Sequence, residues 1–276
     1  MSPKRRVSAV SYLNTSPLVW GMLHGPQHGV FDVTFTLPSE CADALRAGEA
    51  DIGLIPIIEL ARQSELSIVP GASIACEGAV RSILLVSKKP LDELESFAAD
   101  SGSRTSVVLT QIILARKHGV RPEVVTLRAD LDNMLEQADA ALIIGDPALK
   151  IDPAMESWRG KPVHVYDLGA EWFEMTGLPM VFAVWAGKGL DSSVTQVIVD
   201  SASYGRSRTD EIVDHETSNR DLPADLVREY VTRYIRYDLG EREREAMDLY
   251  LSSAAELGFV DPIELQFLEP AKVTRC

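Results

Sequence analysis

The sequence predicts an α/β protein with two lobes and a ligand cleft between them. Over the first two thirds of the 276-residue chain, short apolar runs alternate with amphipathic stretches, which is typical of strands and helices in α/β folds. Several apolar runs end in small polar residues, and the last third has helical periodicity only. Ligands usually bind at the carboxyl ends of the strands in such sheets, so we expect the site among these polar residues.

The apolar runs predict nine strands. They lie at residues 7–10, 30–36, 51–55, 67–74, 82–87, 124–127, 140–144, 163–166 and 181–185. Helical spacing predicts helices between and after them, at residues 17–23, 107–119, 131–137, 171–176, 190–216 (as one or two helices), 223–239 and 242–257. A further helix follows the second strand, and we expect Ser39 to cap it and Gly48 to end it.

These elements predict two lobes that are interleaved in the chain. Residues 1–85 plus 188–276 are expected to form a discontinuous first lobe, and residues 86–187 the second. The apolar runs SILLVS (82–87) and MVFAVWA (180–186) are the candidates for strands that pass from one lobe to the other. The same architecture serves receptors and enzymes, so the fold alone predicts no activity.

Composition excludes several classes of protein. The net charge of −14 argues against nucleic acid as a partner, because phosphate binding needs a basic surface. No apolar stretch is long enough to span a membrane, and the amino terminus lacks a signal-peptide core. The three scattered cysteines, Cys41, Cys76 and Cys276, are typical of reduced thiols, so we expect a cytoplasmic protein. The oligomeric state stays open.

The strongest candidate for an anion site is SGSRTS at residues 101–106, directly before a helix. Free amides at the helix start, with the hydroxyls of Thr105 and Ser106, suit a negatively charged ligand. The alternative is that Ser103 or Thr105 only caps the helix. Arg104 offers a bidentate fork to a carboxylate, although a solvent-exposed or ion-paired arginine is the commoner case.

Three other strand ends carry polar residues. Asn14 follows the first strand, Arg81 precedes SILLVS, Ser82 is its first residue, and Gly145 and Asp146 follow the strand at 140–144. Each has a structural alternative: Asn14 stabilises a turn, Arg81 forms a surface ion pair, and Asp146 caps a helix. None of the five histidines lies in these segments, and no nucleotide-binding or zinc-binding motif is present, so we expect no metal site.

Six segments together resemble the chorismate dehydratase family of the futalosine route to menaquinone. They are VSYLNTSPL (10–18), LPSECADALRAGEADIGLIP (37–56), GAVRSILLVSKKPL (78–91), SRTSVVLTQIIL (103–114), DAALIIGDPAL (139–149) and DLGAEWFEMTGLPMVFAVWA (167–186). The resemblance implies the two-lobed fold of type II periplasmic binding proteins. It also implies a lyase that dehydrates chorismate to 3-[(1-carboxyvinyl)oxy]benzoate without a metal or organic cofactor.

The resemblance maps the family's cleft segments onto Asn14, Ser82, Thr105, Ser106 and Asp146. The polar segments themselves add Arg81, Arg104 and Gly145, so the expected substrate-binding residues are Arg81, Ser82, Arg104, Thr105, Ser106, Gly145 and Asp146. We infer that Asn14 is the catalytic residue, which orients chorismate and hydrogen-bonds its departing hydroxyl. The substrate's own enolpyruvyl carboxylate is a candidate for the base.

Two alternative functions stay open on the sequence. One is the 1,4-dihydroxy-6-naphthoate synthase of the same pathway, whose start resembles SPCPNDT rather than SYLNTSPL. The other is a non-catalytic protein that binds a small anion, which the absence of a signal peptide and a lipidation cysteine disfavours.

Overall fold

The computed structural model describes residues 4–268, which form two α/β lobes. The strands, in chain order, are β1 (Arg5–Val10), β2 (Phe31–Thr36), β3 (Ile52–Pro56), β4 (Ser67–Cys76), β5 (Ile83–Ser87), β6 (Ser96–Asp100), β7 (Glu123–Leu127), β8 (Ala140–Ile144), β9 (Ser157–Trp158), β10 (Lys161–Pro162), β11 (His164–Asp167) and β12 (Met180–Gly187). The order in the first sheet is β2-β1-β3-β12-β4, and in the second sheet β11-β5-β8-β6-β7. The strands β9 and β10 form a separate hairpin.

Helices cover both sheets. They are α1 (Ser16–His24), α2 (Pro38–Ala47), α3 (Ile58–Arg62), α4 (Thr105–Lys117), α5 (Leu131–Gln137), α6 (Asp146–Leu149), α7 (Leu168–Thr176), α8 (Ser192–Arg206), α9 (Thr209–Arg220), α10 (Ala224–Glu229) and α11 (Glu241–Glu256). The chain also forms two 3₁₀ turns, Leu13–Thr15 and Leu91–Glu93, and one π-helical turn, Tyr230–Tyr234. The α/β fold class predicted from the sequence is confirmed.

Each sheet combines parallel and antiparallel strands. In the first sheet β1 pairs in parallel with β2 and β3, as the strand–helix–strand pattern predicts, whereas β12 is antiparallel to β3 and β4. In the second sheet β6 is parallel to β7 and β8, whereas β5 is antiparallel to β8. Strands β3, β5, β8 and β12 are buried along their whole length, which explains why their sequences are continuous apolar runs.

The sheets divide the chain differently from the predicted lobe boundaries at residues 85/86 and 187/188. The whole of β5 belongs to the second sheet, and the whole of β12 belongs to the first. The chain therefore crosses between the lobes in residues 77–82, before β5, and again through α7. Both apolar runs would be buried in the sheet of either lobe. Their hydrophobicity therefore could not show at which residues the chain crosses.

Two predicted details of helices are wrong. Ser39 lies inside the first turn of α2, and Leu37 precedes the helix; the Leu37 amide donates to the carboxylate of Glu40 at 3.0 Å. The single helix predicted for residues 223–239 ends at Tyr234, and the chain then runs extended so that Arg236 bridges to Ala75 of β4. Pairing with the sheet edge overrides the helical pattern there.

Two further expectations concern membranes and thiols. Among residues 4–268, the helices all lack the length and apolar character needed to cross a bilayer. Cys41 and Cys76 are buried free thiols, and Cys276 lies outside the described residues.

Candidate functional site

A pocket with an empty volume of about 550 Å³ lies between the two sheets. Its walls come from strand ends and helix starts of both lobes, which is the usual position of a ligand in such folds. The lining residues are Val10, Tyr12, Asn14, Pro38, Pro56, Ile74, Val80, Ser82, Ile83, Ser103, Arg104, Thr105, Ser106, Ile144, Gly145, Phe182 and Ala183. Most of this wall is apolar, and the polar groups on it are hydroxyls, amides and one guanidinium.

The amino terminus of α4 forms one polar wall. Arg104 precedes the helix, and no side chain within residues 4–268 caps it, so the first amides of α4 keep their donors free. The hydroxyl of Ser103 is buried and likewise has no partner among the described residues. A buried donor without a partner costs free energy unless a ligand satisfies it. The helix start therefore suits an anion better than the capping alternative considered from the sequence.

Thr105 and Ser106 are both buried at this helix start. The Thr105 hydroxyl accepts a hydrogen bond from the Ile58 amide at 3.4 Å, and the Thr105 carbonyl accepts one from the Tyr250 hydroxyl at 2.9 Å. These contacts hold the first turn of α4 against α3 and α11. They leave the Ser106 hydroxyl as the less constrained of the two donors.

Asn14 lies on the opposite wall, in the 3₁₀ turn that follows β1. The Thr15 hydroxyl donates to Asn14 Oδ1 at 3.4 Å, and the neighbouring Leu13 amide donates to Asp146 Oδ1 at 2.9 Å. The turn forms because Pro17 follows it at the start of α1, where proline fits and an amide donor is not needed. The turn that carries Asn14 is thus held by contacts within the first lobe and by one contact to the second.

Ser82 lies on the wall between these two segments and is only 1% exposed. Its hydroxyl accepts a hydrogen bond from the Tyr230 hydroxyl at 2.7 Å, and its carbonyl accepts one from the Gly145 amide at 2.8 Å. Tyr230 is completely buried in the π-helical turn after α10. Burial raises the pKa of the Tyr230 phenol, so the hydroxyl keeps its proton at neutral pH.

Gly145 lines the pocket, and its position there admits no side chain. Its φ is 66°, and a Cβ atom there would lie 2.6 Å from the ring of Tyr12. The Tyr12 ring, from the first lobe, thereby closes over the backbone of the second lobe. Burial raises the pKa of Tyr12 as well.

Asp146 does not line the pocket, although the sequence placed it among the substrate-binding residues. It occupies the first turn of α6, where Gly145 rather than Asp146 is the capping residue. Its carboxylate accepts from the Leu13 amide and pairs with Arg220. Burial raises the pKa of Asp146 despite the opposing effect of Arg220. Asp146 therefore supports the turn that carries Asn14.

Arg81 also points away from the pocket. Its guanidinium donates to the carbonyls of Ala148 and Leu149, both at 3.1 Å, at the end of α6. Its φ of 68° is unusual for a residue other than glycine, and its amide is held by Asp167 at 2.6 Å. The arrangement explains why Arg81 stabilises the crossing before β5 instead of facing a ligand.

Arg104 lines the pocket but shares its charge with two acids. One guanidinium nitrogen lies 2.7 Å from Asp43 and another 3.1 Å from Glu59. Glu59 is fully buried and also pairs with Arg46 and Arg62. The positive charge of Arg104 is thus largely balanced by these acids, whereas the first amides of α4 have no side-chain partner within residues 4–268.

Metal ligands do not gather in the described part of the chain: residues 4–268 contain no cluster of three His, Cys, Asp or Glu side chains able to hold an ion. None of the residues that line the pocket is a histidine, an aspartate or a glutamate. The arrangement provides hydrogen-bond donors and shape rather than a protein acid or base.

The sequence predictions omit two polar residues at the site. Tyr12 lines the pocket, and its place just after the first strand, two residues before Asn14, was the signal that could have included it. Tyr230 contacts the pocket residue Ser82 without lining the pocket. Nothing local in the sequence separates its hydroxyl from that of any other buried tyrosine.

Comparison with known proteins finds relatives that match most of the chain. A family model described as menaquinone biosynthesis matches residues 5–256. A Thermus thermophilus protein named chorismate dehydratase is 30% identical over 247 residues, which cover 84% of this chain and 89% of that protein. A Campylobacter jejuni protein of the same name is 24% identical over 221 residues, which cover 80% and 82% of the two chains.

Solved structures agree on the fold. Protein AF1704 from Archaeoglobus fulgidus has a TM-score of 0.73 at 17% identity, and the match covers 94% of this chain and 99% of that one. The periplasmic aliphatic sulphonate binding protein SsuA from Escherichia coli has a TM-score of 0.60 at 15% identity, with 99% and 96% covered. The predicted periplasmic-binding-protein-like fold is confirmed.

Proposed function

The chain belongs to the menaquinone-biosynthesis family, and we propose that it is a chorismate dehydratase, a lyase that converts chorismate to 3-[(1-carboxyvinyl)oxy]benzoate and water. The observation that carries the proposal is a pocket that joins an uncapped helix start to a neutral asparagine. Two relatives with this name cover most of the chain. We also propose the cytoplasmic location and the absence of a cofactor that the sequence predicts.

Chorismate is a dianion, and the pocket offers donors for its two carboxylates. We assign one carboxylate to the amides of α4 with the hydroxyls of Ser103, Thr105 and Ser106. Charge-assisted hydrogen bonds of this kind are stronger than neutral ones, and the helix dipole adds to them. The hydroxyl of Ser82 is assigned to a substrate oxygen on the adjoining wall. The apolar residues of the lining accommodate the ring.

The reaction breaks the C3–H and C4–O bonds and forms water. The electron pair left at C3 spreads through the diene into the ring carboxylate, and loss of the C4 hydroxyl then makes the ring aromatic. The C3 proton goes to the enolpyruvyl carboxylate of the substrate, which hangs from the same carbon. It finally combines with the departing hydroxide. Positioning and preorganised donors are the contributions that such a reaction needs from the protein.

Asn14 has the role of orienting the substrate and donating to the departing hydroxyl. Its amide is neutral at every working pH, so it neither repels the dianion nor competes as a base. Its position in a turn held by Thr15 and by the contact of Leu13 with Asp146 supports this role, because a donor fixed in advance costs no reorganisation during the reaction.

The test is to incubate the purified protein with chorismate and follow the ultraviolet change as the cyclohexadiene becomes a benzoate. Asn14→Ala should lower kcat by about 10² to 10³, the usual effect of losing one preorganised donor. Asn133→Ala, which changes an exposed asparagine of α5, is the matched control and should leave kcat unchanged. Absence of product from the wild-type protein at stoichiometric concentration would overturn the proposal, and bound but unconverted chorismate would indicate an anion-binding protein.

A further inference from the structure

The hydroxyl of Tyr230 contacts one residue of the pocket wall. It donates to Ser82 Oγ at 2.7 Å. Tyr230 itself is 0% exposed and does not line the pocket. Its hydroxyl therefore acts on the pocket through Ser82.

The single hydrogen of the Tyr230 hydroxyl gives this contact a direction. A phenol has one hydrogen, and that of Tyr230 goes to Ser82. Ser82, which already accepts from Tyr230, has its own hydrogen left for another acceptor.

The local backbone explains how a helical tyrosine reaches this position. Residues 230–234 form a π-helical turn at the end of α10, and this turn packs against the 3₁₀ turn that contains Asn14. Single π turns widen a helix and occur frequently at functional sites. Here the wider turn places the Tyr230 hydroxyl beside Ser82.

We propose that Tyr230 is a positioning residue that directs the hydrogen of Ser82 toward the substrate. The proposal rests on the proposed dehydratase function and adds a role for the carboxyl-terminal helices. In the resulting chain of hydrogen bonds, Tyr230 donates to Ser82, and Ser82 donates to a substrate oxygen.

The first experiment compares Tyr230→Phe with the wild-type protein in the chorismate assay and in titrations with 3-[(1-carboxyvinyl)oxy]benzoate. The variant keeps the ring and removes only the oxygen. We expect kcat to fall about 10-fold and the product Kd to rise severalfold, because Ser82 loses its fixed direction. Tyr237→Phe is the matched control, since Tyr237 is also buried and its hydroxyl has no partner within residues 4–268.

Thermal melts separate positioning from simple stabilisation. If Tyr230→Phe melts lower but keeps the kcat and product Kd of Tyr237→Phe, the proposal is overturned. An inactive wild-type protein would instead overturn the proposed function, so the two failures are distinguishable. A double-mutant cycle with Ser82→Ala gives a second measurement. The losses of product affinity should be clearly less than multiplicative if Tyr230 acts through Ser82, and multiplicative losses would contradict that.

Discussion

Asp146 in the second lobe forms an ion pair with Arg220 at the end of α9 in the first lobe. Arg220 also donates to the Ser11 carbonyl at 2.9 Å, and Asp146 accepts from the Leu13 amide at 2.9 Å. Both residues thus hold the segment between β1 and α1 from opposite sides. Since Asn14 lies in this segment, the pair connects the two lobes at the segment that carries the proposed catalytic residue.

Arg220→Met tests the contribution of Arg220 to stability. The variant leaves two carboxylates without their cation, that of Asp146, about a fifth exposed, and that of Glu216, which is 7% exposed. Removing one partner of a fully buried pair costs about 3–5 kcal/mol, so for these partly exposed pairs we expect the free energy of unfolding to fall by about 2 kcal/mol. Urea denaturation measures it. Arg233→Met, which breaks the exposed Arg233–Glu229 pair, is the control and should change little. An equal loss in both variants would contradict the special role of Arg220.

Arg81→Met tests the assignment of Arg81 to the fold. Because its guanidinium donates to two carbonyls at the end of α6, the variant should lose about 1–2 kcal/mol of unfolding free energy. Its affinity for the benzoate product should stay at the wild-type value. Isothermal titration beside urea denaturation checks both expectations. A product affinity at least tenfold weaker, with unchanged stability, would show that Arg81 binds the ligand rather than stabilising the fold.

The sequence predicted the fold well where the evidence was local. The strand at β8 was recognised from a continuous apolar run, and the polar residues after it were correctly expected at the sheet edge. The crossings between lobes were misplaced, because β5 and β12 are buried in either arrangement and their apolar sequences fit both. Membership of a sheet depends on pairing partners that are distant in the chain.

The residues of the site also divide into those whose position the sequence predicted and those whose position it did not. Asn14, Ser82, Thr105, Ser106 and Gly145 all line the pocket, as their positions at strand ends and a helix start suggested. The directions of long side chains could not be predicted, since Arg81 and Asp146 follow partners that only the folded chain supplies. Tyr230 is the clearest case, because its hydroxyl meets a serine 148 residues away.

Ser106→Ala tests whether the start of α4 binds an anion. The variant removes one donor from the pocket while the backbone contacts of α4 remain, so its stability should change by less than about 1 kcal/mol. Loss of a hydrogen bond to a charged group costs about 1.5–3 kcal/mol, which corresponds to a product Kd raised by about 10-fold or more. Titration and thermal melts on the same samples measure both. A lower melting temperature with unchanged Kd would show that Ser106 serves the helix alone.

Asp100→Asn gives a pH dependence with a defined sign. Asp100 is 6% exposed, and burial raises the pKa of its carboxyl above the ordinary value of 3.8, although the Gly102 amide donates to it at 2.9 Å. The folded protein therefore binds this proton more tightly than the unfolded chain does. As pH rises from the ordinary pKa through the raised one, the unfolded state loses its proton first, and the wild-type protein loses stability.

The amide side chain that Asp100→Asn introduces cannot ionise, and its oxygen still accepts from the Gly102 amide. The unfolding free energy of the Asp100→Asn variant relative to wild type should therefore be nearly constant below the ordinary pKa. It should rise through the window between the two pKa values and level off above the raised one. Urea denaturation of both proteins between about pH 3.5 and 8, a range that brackets the titration of most buried carboxyls, measures this difference. A difference that falls with rising pH would mean that the folded state stabilises the ionised carboxylate, through its contacts at the turn that leads into α4.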